Sequence, residues 1–201
     1  MKNSIPLLFL LLSLTAFSQS FTTKDNIEIE IKKSRTALNN SPFQASLLKV
    51  KGEDFQKVLV RTRIKSDKNN KTQLSGFSLV DPQNQIRYRL ADYKGYNGII
   101  GAPEFIPFRK TQFFNKSGRP ASLHVPFDIE EKDLFEEYNM PGYTNFEVPI
   151  NFGKDRLSVV YFGQTDLKKL TAELFFTIPQ KYLGLPYHLY YRDEKVAEVY
   201  F

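Results

Sequence analysis

From residue 19 onward, polar and apolar positions trade places with a period of two in segment after segment, as strands with one buried and one wet face require. Ile27 to Lys33 reads IEIEIKK and sets Ile27, Ile29 and Ile31 on one face, with Glu28, Glu30 and Lys32 on the other. Phe55 to Lys65 predicts a longer strand, in which Val58, Val60, Thr62 and Ile64 face a core while Lys57, Leu59, Arg61, Arg63 and Lys65 turn away from it. The polar DKNNK that follows, Asp67 to Lys71, is a loop. Phe77 to Val80 and Ile86 to Leu90 flank DPQNQ, whose Asp81 and Pro82 suit the first two positions of a tight turn. This pair predicts a β-hairpin.

The pattern lapses between Asp92 and Asn145. Gly95, Gly98 and Gly101 punctuate aromatic and apolar residues there, Pro103 and Pro107 follow, and no clean alternation survives until about Ser122. One short helix is expected over Glu130 to Met140, where Leu134, Phe135 and Tyr138 recur at three- and four-residue spacing, with Asp128 as N-cap and Pro141-Gly142 as the stop. Strand signals resume at Phe146 to Ile150, Leu157 to Phe162, Leu170 to Ile178, Tyr187 to Tyr191 and Val196 to Phe201. In the last of these Ala197, Val199 and Phe201 alternate with Val196, Glu198 and Tyr200, so the terminal ring is expected in the core. About nine strands and one helix predict an all-β protein, an antiparallel β-sandwich, with a closed eight- or nine-stranded barrel as the alternative. No repeat and no low-complexity linker divides residues 19–201, which read as one domain with a long excursion at about 92–145.

Two stretches carry a more specific pattern. GEDFQKVLVRTRIKSDKNNKTQLSGFSLVDPQNQIRYRL, residues 52–90, has a Gly-x-x-Phe opening, a V-x-V-x-x-x-I strand, a polar loop, then F-x-L-V-D and a tyrosine-bearing strand. LTAELFFTIPQKYLGLPYHLYYRDEKVAEVYF, residues 170–201, has an aromatic-rich strand ending in Ile-Pro, a short loop and Y-x-L-Y-Y. In these stretches the chain resembles a family of bacterial extracellular immunoglobulin-like domains of unknown function, which includes the immunoprotective extracellular proteins. The resemblance implies an immunoglobulin-like sandwich and no particular activity. It stops at the 92–169 region, which is longer here and contains the helix, so that region is expected to hold whatever is particular to this protein.

The amino end follows a different rule. In MKNSIPLLFLLLSLTAFS, Lys2 supplies a positive start, Leu7 to Leu14 is apolar except for Ser13, and Ala16 and Ser18 stand three and one positions before a cut at Gln19. This predicts a secretory signal peptide. The apolar run from Ile5 to Phe17 is shorter than the ~20 residues a membrane-spanning helix needs. The expectation is therefore an exported protein, periplasmic or extracellular, with no transmembrane segment in the mature chain.

Composition sharpens this picture. Removing 18 residues from 201 leaves 183, enough to bury a core without staples. The absence of cysteine excludes disulfides, thiolate metal sites, a cysteine nucleophile and a lipid-modified cysteine. Lys2 leaves with the amino end, so 27 of the 28 basic side chains face 22 acidic ones, a net charge of +5. That mild excess does not describe a nucleic-acid binder, although it suits acidic glycans or anionic headgroups as well as plain solubility.

Candidate chemistry is sparse. His124 and His188 are the only histidines, and the carboxylates show no metal-binding spacing around them. There is no G-x-S-x-G, and Glu130, Glu131, Asp133, Glu136 and Glu137 crowd one short segment, as on a solvated helix face. The spacing of Gly95, Gly98 and Gly101 fits no phosphate loop. Two surfaces are worth following. Tyr93, Tyr96, Phe105 and Phe108, with Phe113 and Phe114 beyond them, form either a platform for sugar rings or a partner protein, or the cap of an open sandwich end. If the strand from Phe55 and the strand from Ile86 share a sheet, Lys57, Arg61, Arg63, Lys65, Arg87 and Arg89 project together as a basic patch, for acidic polysaccharide or lipid headgroups, or merely for solubility. The sequence thus reads as a non-catalytic binding or structural module with no cofactor and no partner named by any motif, a glycan and a cell-envelope protein being the candidates. A barrel-type carrier of small apolar ligands is the second reading and a glycan-active enzyme the third.

Overall fold

The computed structural model describes residues 19–38, 54–67, 70–96, 109–114, 120–121, 134–146, 150–152, 156–162, 164–165 and 168–201. Strands β1 (Gln19–Thr22), β2 (Glu28–Thr36) and β3 (Phe55–Lys65) come first. A two-residue strand, β4 (Thr72–Gln73), and one 3-10 turn lead into β5 (Phe77–Asp81), β6 (Ile86–Arg89) and β7 (Asp92–Tyr96). Then come β8 (Arg109–Phe114), β9 (Pro120–Ala121), the one-turn helix α1 (Leu134–Glu137), β10 (Thr144–Phe146), β11 (Ile150–Phe152), β12 (Arg156–Phe162) and β13 (Gln164–Thr165). Three strands close the chain: β14 (Lys169–Pro179), β15 (Tyr187–Tyr191) and β16 (Glu194–Val199).

Two five-stranded sheets make the sandwich. One runs β1-β2-β3-β14-β7 and is antiparallel throughout; the other runs β10-β6-β5-β15-β16, with β10 parallel to β6 and the remaining pairs antiparallel. A further ladder, β11-β12-β8-β9, and the short pair β13-β4 hold the other strands among the described residues. Each ladder ends in edge strands, so the barrel alternative falls and the all-β sandwich stands.

The core lies between the two large sheets. Val58, Val60, Thr62 and Ile64 of β3 and Ala172, Leu174, Phe176 and Ile178 of β14 are buried from one side, and Leu79, Tyr88, Tyr187, Leu189 and Tyr191 from the other. Val58, Val60 and Ile64 take the side that alternation predicts, as do Ile27 and Ile29. Thr62, the one hydroxyl in that row, is satisfied by donating to the Ala172 carbonyl at 3.2 Å. At one end the core becomes an aromatic column, with ring-to-ring distances of 5.8 Å for Phe55–Phe146, 5.4 Å for Phe146–Tyr88, 6.3 Å for Tyr88–Tyr187 and 5.5 Å for Tyr187–Phe201. Phe201 therefore does reach the core. Burial pushes the Tyr88 and Tyr187 hydroxyls far above the ordinary tyrosine value, so both stay protonated.

Turn chemistry sets the register of the second sheet. The buried Asp81 carboxylate accepts the Gln83 and Asn84 amides, each at 3.0 Å, and the Asn84 side chain at 2.8 Å, fixing the four-residue loop between β5 and β6 as its sequence predicts. Thr144 N–H then donates to the Gln85 carbonyl at 2.8 Å, which brings β10 in beside β6. Pro141-Gly142 steers the chain there: Tyr143 N–H closes on the Met140 carbonyl at 3.1 Å, and Gly142 holds a φ of +84° that the third position of a type II turn demands.

One side of the sandwich is stitched by its hairpin tips. The Glu194 carboxylate accepts the Lys24 amide at 3.2 and 3.1 Å, Lys24 Nζ pairs with Asp193 at 3.2 Å, and Arg192 pairs with Asp25, so the β1–β2 tip is tied to the β15–β16 tip. Farther along, Ser34 Oγ donates to the Tyr200 carbonyl at 2.8 Å.

Several expectations need correction. The irregular excursion does not begin at Asp92, because β7 pairs residue for residue with β14, and Tyr93 opposite Leu174 is a buried core residue. Of the strand expected over Phe146 to Ile150, Phe146 ends β10 and Ile150 opens β11, which pair in different ladders, while residues 147–149 lie outside the described residues. The basic patch that joined Arg61 and Arg63 to Arg87 and Arg89 does not form, since β3 and β6 lie in different sheets. Lys57 and Leu59 also differ from their expected exposure, for both are buried on the outer face of β3.

Candidate functional site

The outer face of the first sheet carries charged side chains in register across four strands. Ladder register sets Lys33, Arg61, Glu173 and Lys94 in one row across β2, β3, β14 and β7. The next row holds Glu30, Arg63, Thr171 and Tyr96, and the one after it Glu28, Lys65 and Lys169. Rows of this kind repeat every second residue along a strand, about 7 Å apart, while neighbours across the sheet are about 4.8 Å apart. The carboxylates offset part of the charge: Lys65 Nζ lies 2.7 Å from Glu28 and Arg63 lies 4.0 Å from Glu30. Cations still outnumber anions on this face, and Lys33, Arg35, Arg61 and Arg63 are all exposed.

In the direction of Phe55 the same face turns apolar. Leu59 and Phe175 sit opposite each other and are buried, with Lys57 Nζ 5.6 Å from the centre of the Phe175 ring. Burial pushes the Lys57 ammonium below the ordinary lysine value, and the nearby Asp92 carboxylate opposes that shift. The pattern of β3 alone could not reveal this, because alternation marks two faces without saying which of them the rest of the chain covers.

Arg87 and Arg89 occupy the outer face of the second sheet, beneath α1. Arg87 is fully buried: Nε donates to Ser78 Oγ at 3.2 Å and Nη1 to the Phe135 carbonyl at 2.6 Å. That carbonyl belongs to the single turn of α1, so the guanidinium adds a donor and a favourable cation at the helix end. Both arginines also lie against the Phe135 ring, at 4.2 and 4.4 Å from its centre, and Arg89 reaches Glu136 at 3.7 Å. They are structural clamps on α1 rather than parts of a solvent-facing patch.

Of the aromatic platform, Tyr93 belongs to the core, Tyr96 is placed by its backbone opposite Thr171 at the end of β7, and Phe105 and Phe108 lie outside the described residues. His124 lies outside them as well. His188 faces outward on β15 opposite Glu198, with Nε2 3.5 Å from its carboxylate. Burial pushes this imidazole below its ordinary value of 6.5, reinforced by Lys195 and opposed by Glu198. A lowered folded-state value means that folding prefers the neutral ring, so the contribution is complete above pH 6.5 and is lost as pH falls below it. Urea midpoints should accordingly decline from pH 7.5 to pH 5, and His188→Gln should flatten that slope; an identical slope in the variant would refute the assignment.

Among the described residues, no three histidine, aspartate or glutamate side chains gather as a metal site. No described helix is long and apolar enough to cross a membrane. A scan against protein-family models, a search of curated proteins and a search of solved structures each found no match to the chain.

Proposed function

We propose that this chain is an exported, non-catalytic binding module that engages acidic polysaccharide of the cell envelope through the outer face of its first sheet. The observation that carries this reading is the row Lys33, Arg61, Glu173 and Lys94, continued by Arg63 and Lys65. A rigid sheet holds these cations at fixed spacings, and a flat positive surface recognises a linear polyanion by complementary charge without needing a cleft. The structural use of the buried charges supports a module without catalysis, since Asp81 holds a turn and Arg87 holds a helix. Membership of the immunoglobulin-like extracellular family is part of the same proposal, resting on the strand patterns of residues 52–90 and 170–201.

Export rests on the amino-terminal pattern. Cleavage before Gln19 leaves every pairing of β1 with β2 in place, from Gln19 opposite Ile31 to Thr22 opposite Glu28. Mass spectrometry of the mature protein should find Gln19 at the amino terminus; retention of Met1 would count against it.

Binding is tested with polygalacturonate as the probe. Affinity should fall steeply as salt rises from low to physiological strength, and the Arg61→Glu/Arg63→Glu variant should bind at least about tenfold more weakly with an unchanged melting temperature. Equal binding by the two proteins, or selective binding to anionic vesicles in place of the polysaccharide, would overturn the proposal.

A further inference from the structure

The end of the sandwich where β3 begins and β14 finishes holds a cavity of about 560 Å³, lined among the described residues by Asp54, Phe55, Pro179, Gln180 and Lys181. The ladder builds it: Phe55 and Pro179 are the terminal pair of β3 and β14, and Gln180 N–H continues the zipper by donating to the Asp54 carbonyl at 2.7 Å. Its walls and its rim differ in chemistry. Phe55 and Pro179 present two flat apolar surfaces, whereas Asp54, Gln180 and Lys181 are exposed polar side chains.

We infer that this cavity binds a neutral sugar ring, at a site separate from the basic face. Charge sets the first condition, because among the described lining residues one carboxylate and one ammonium cancel and favour neither an anion nor a cation. Hydrogen-bonding capacity sets the second: Asp54 accepts, Lys181 donates, and the Gln180 amide does both, which matches hydroxyl groups that donate and accept in turn. The apolar walls set the third, since a pyranose carries hydroxyls at its edge and C–H groups on its face, and the face packs on an aromatic ring. The volume lies within the ~300–1,000 Å³ usual for small-ligand sites.

The platform is also held in advance. Phe55 touches Phe146 at 5.8 Å, Phe146 touches Tyr88 at 5.4 Å, and the column continues into the core, so the ring has little freedom left to lose on binding. Lys181 is steadied in turn by the Tyr182 ring, 4.8 Å from Nζ.

The deciding experiment titrates the intact mature protein with cello-, manno-, galacto- and chitotetraose by calorimetry and by amide chemical shifts. At least one should bind, and Asp54→Ala and Gln180→Ala should each weaken it at least about tenfold without moving the melting temperature. These exposed positions decide the matter because Phe55 packs against the core and its removal would confound fold with binding. Arg61→Glu/Arg63→Glu should bind the tetrasaccharide normally, which keeps this site distinguishable from the polyanion face. Absence of binding by all four sugars at about 10 mM, binding untouched by both alanine variants, or a preference for a zwitterionic tetrapeptide would each overturn the inference.

Discussion

Deletion of residues 196–201 should strip β16 from the second sheet and either aggregate the protein or lower its melting temperature by roughly 6–24 °C. Val196, Ala197 and Val199 are buried, and Phe201 packs on Tyr187 at 5.5 Å. The two valines alone contribute roughly 3–6 kcal/mol of burial, and a domain of this size loses about 2–4 °C per kcal/mol. The deletion also removes the Tyr200 carbonyl that Ser34 Oγ binds across the sheets, and leaves β15 as a new unpaired edge. Scanning calorimetry with light scattering checks this. A truncated protein that stays monomeric with an unchanged melting temperature would mean that the sandwich closes without its last strand.

Phe135→Ala should cost about 3–5 kcal/mol, an effect out of proportion to a helix of one turn. Phe135 is fully buried, and its ring is the surface against which Arg87 and Arg89 both stack. Its loss opens a cavity and takes an apolar neighbour from a buried guanidinium at the same time. Glu136→Ala is the control: that carboxylate is 68% exposed and 3.7 Å from Arg89, so its removal should cost no more than about 0.5 kcal/mol. Denaturant midpoints measure both. Similar small losses would show that α1 rests on the sheet without holding it.

The contrast between these two sites explains what the sequence could and could not disclose. Phe55 to Lys65 is legible because strong alternation, β-branched residues and a polar loop agree, and β3 has those very bounds. The carboxyl-terminal strand is legible for the same reason, although β16 spans Glu194–Val199 rather than Val196 to Phe201, and Phe201 packs on the core from just beyond it. Arg87 and Arg89 were legible as strand residues but not as buried ones. Their cover comes from Phe135, far along the chain, and a polar side chain on the outer parity of a strand carries no mark of a distant helix above it. Tyr93 failed in the opposite sense, since Gly95 and the glycines and prolines after it outweighed the two-residue period of Asp92–Tyr96, which shows itself only once β14 lies alongside. The cavity by Phe55 left almost no trace, because its walls come from the two ends of a pairing between remote strands.

The pairing of β3 with β14 also decides when the molecule can fold. Thr62 and the Ala172 carbonyl it binds are 110 residues apart, and the first sheet cannot be assembled past β3 until β14 exists. The second sheet needs β15 and β16, which are made last, and their hairpin tip is what fastens that edge to β1 and β2. A growing chain that has not reached residue 169 can pair β2 with β1 and β3, β5 with β6 and β8 with β12, but both large sheets then lack β14, β15 and β16, and such partial ladders have slight stability alone. Neither half of the core can close before those three strands are made. The slow, non-local step of folding therefore waits for β14, β15 and β16, whichever pairings form before them.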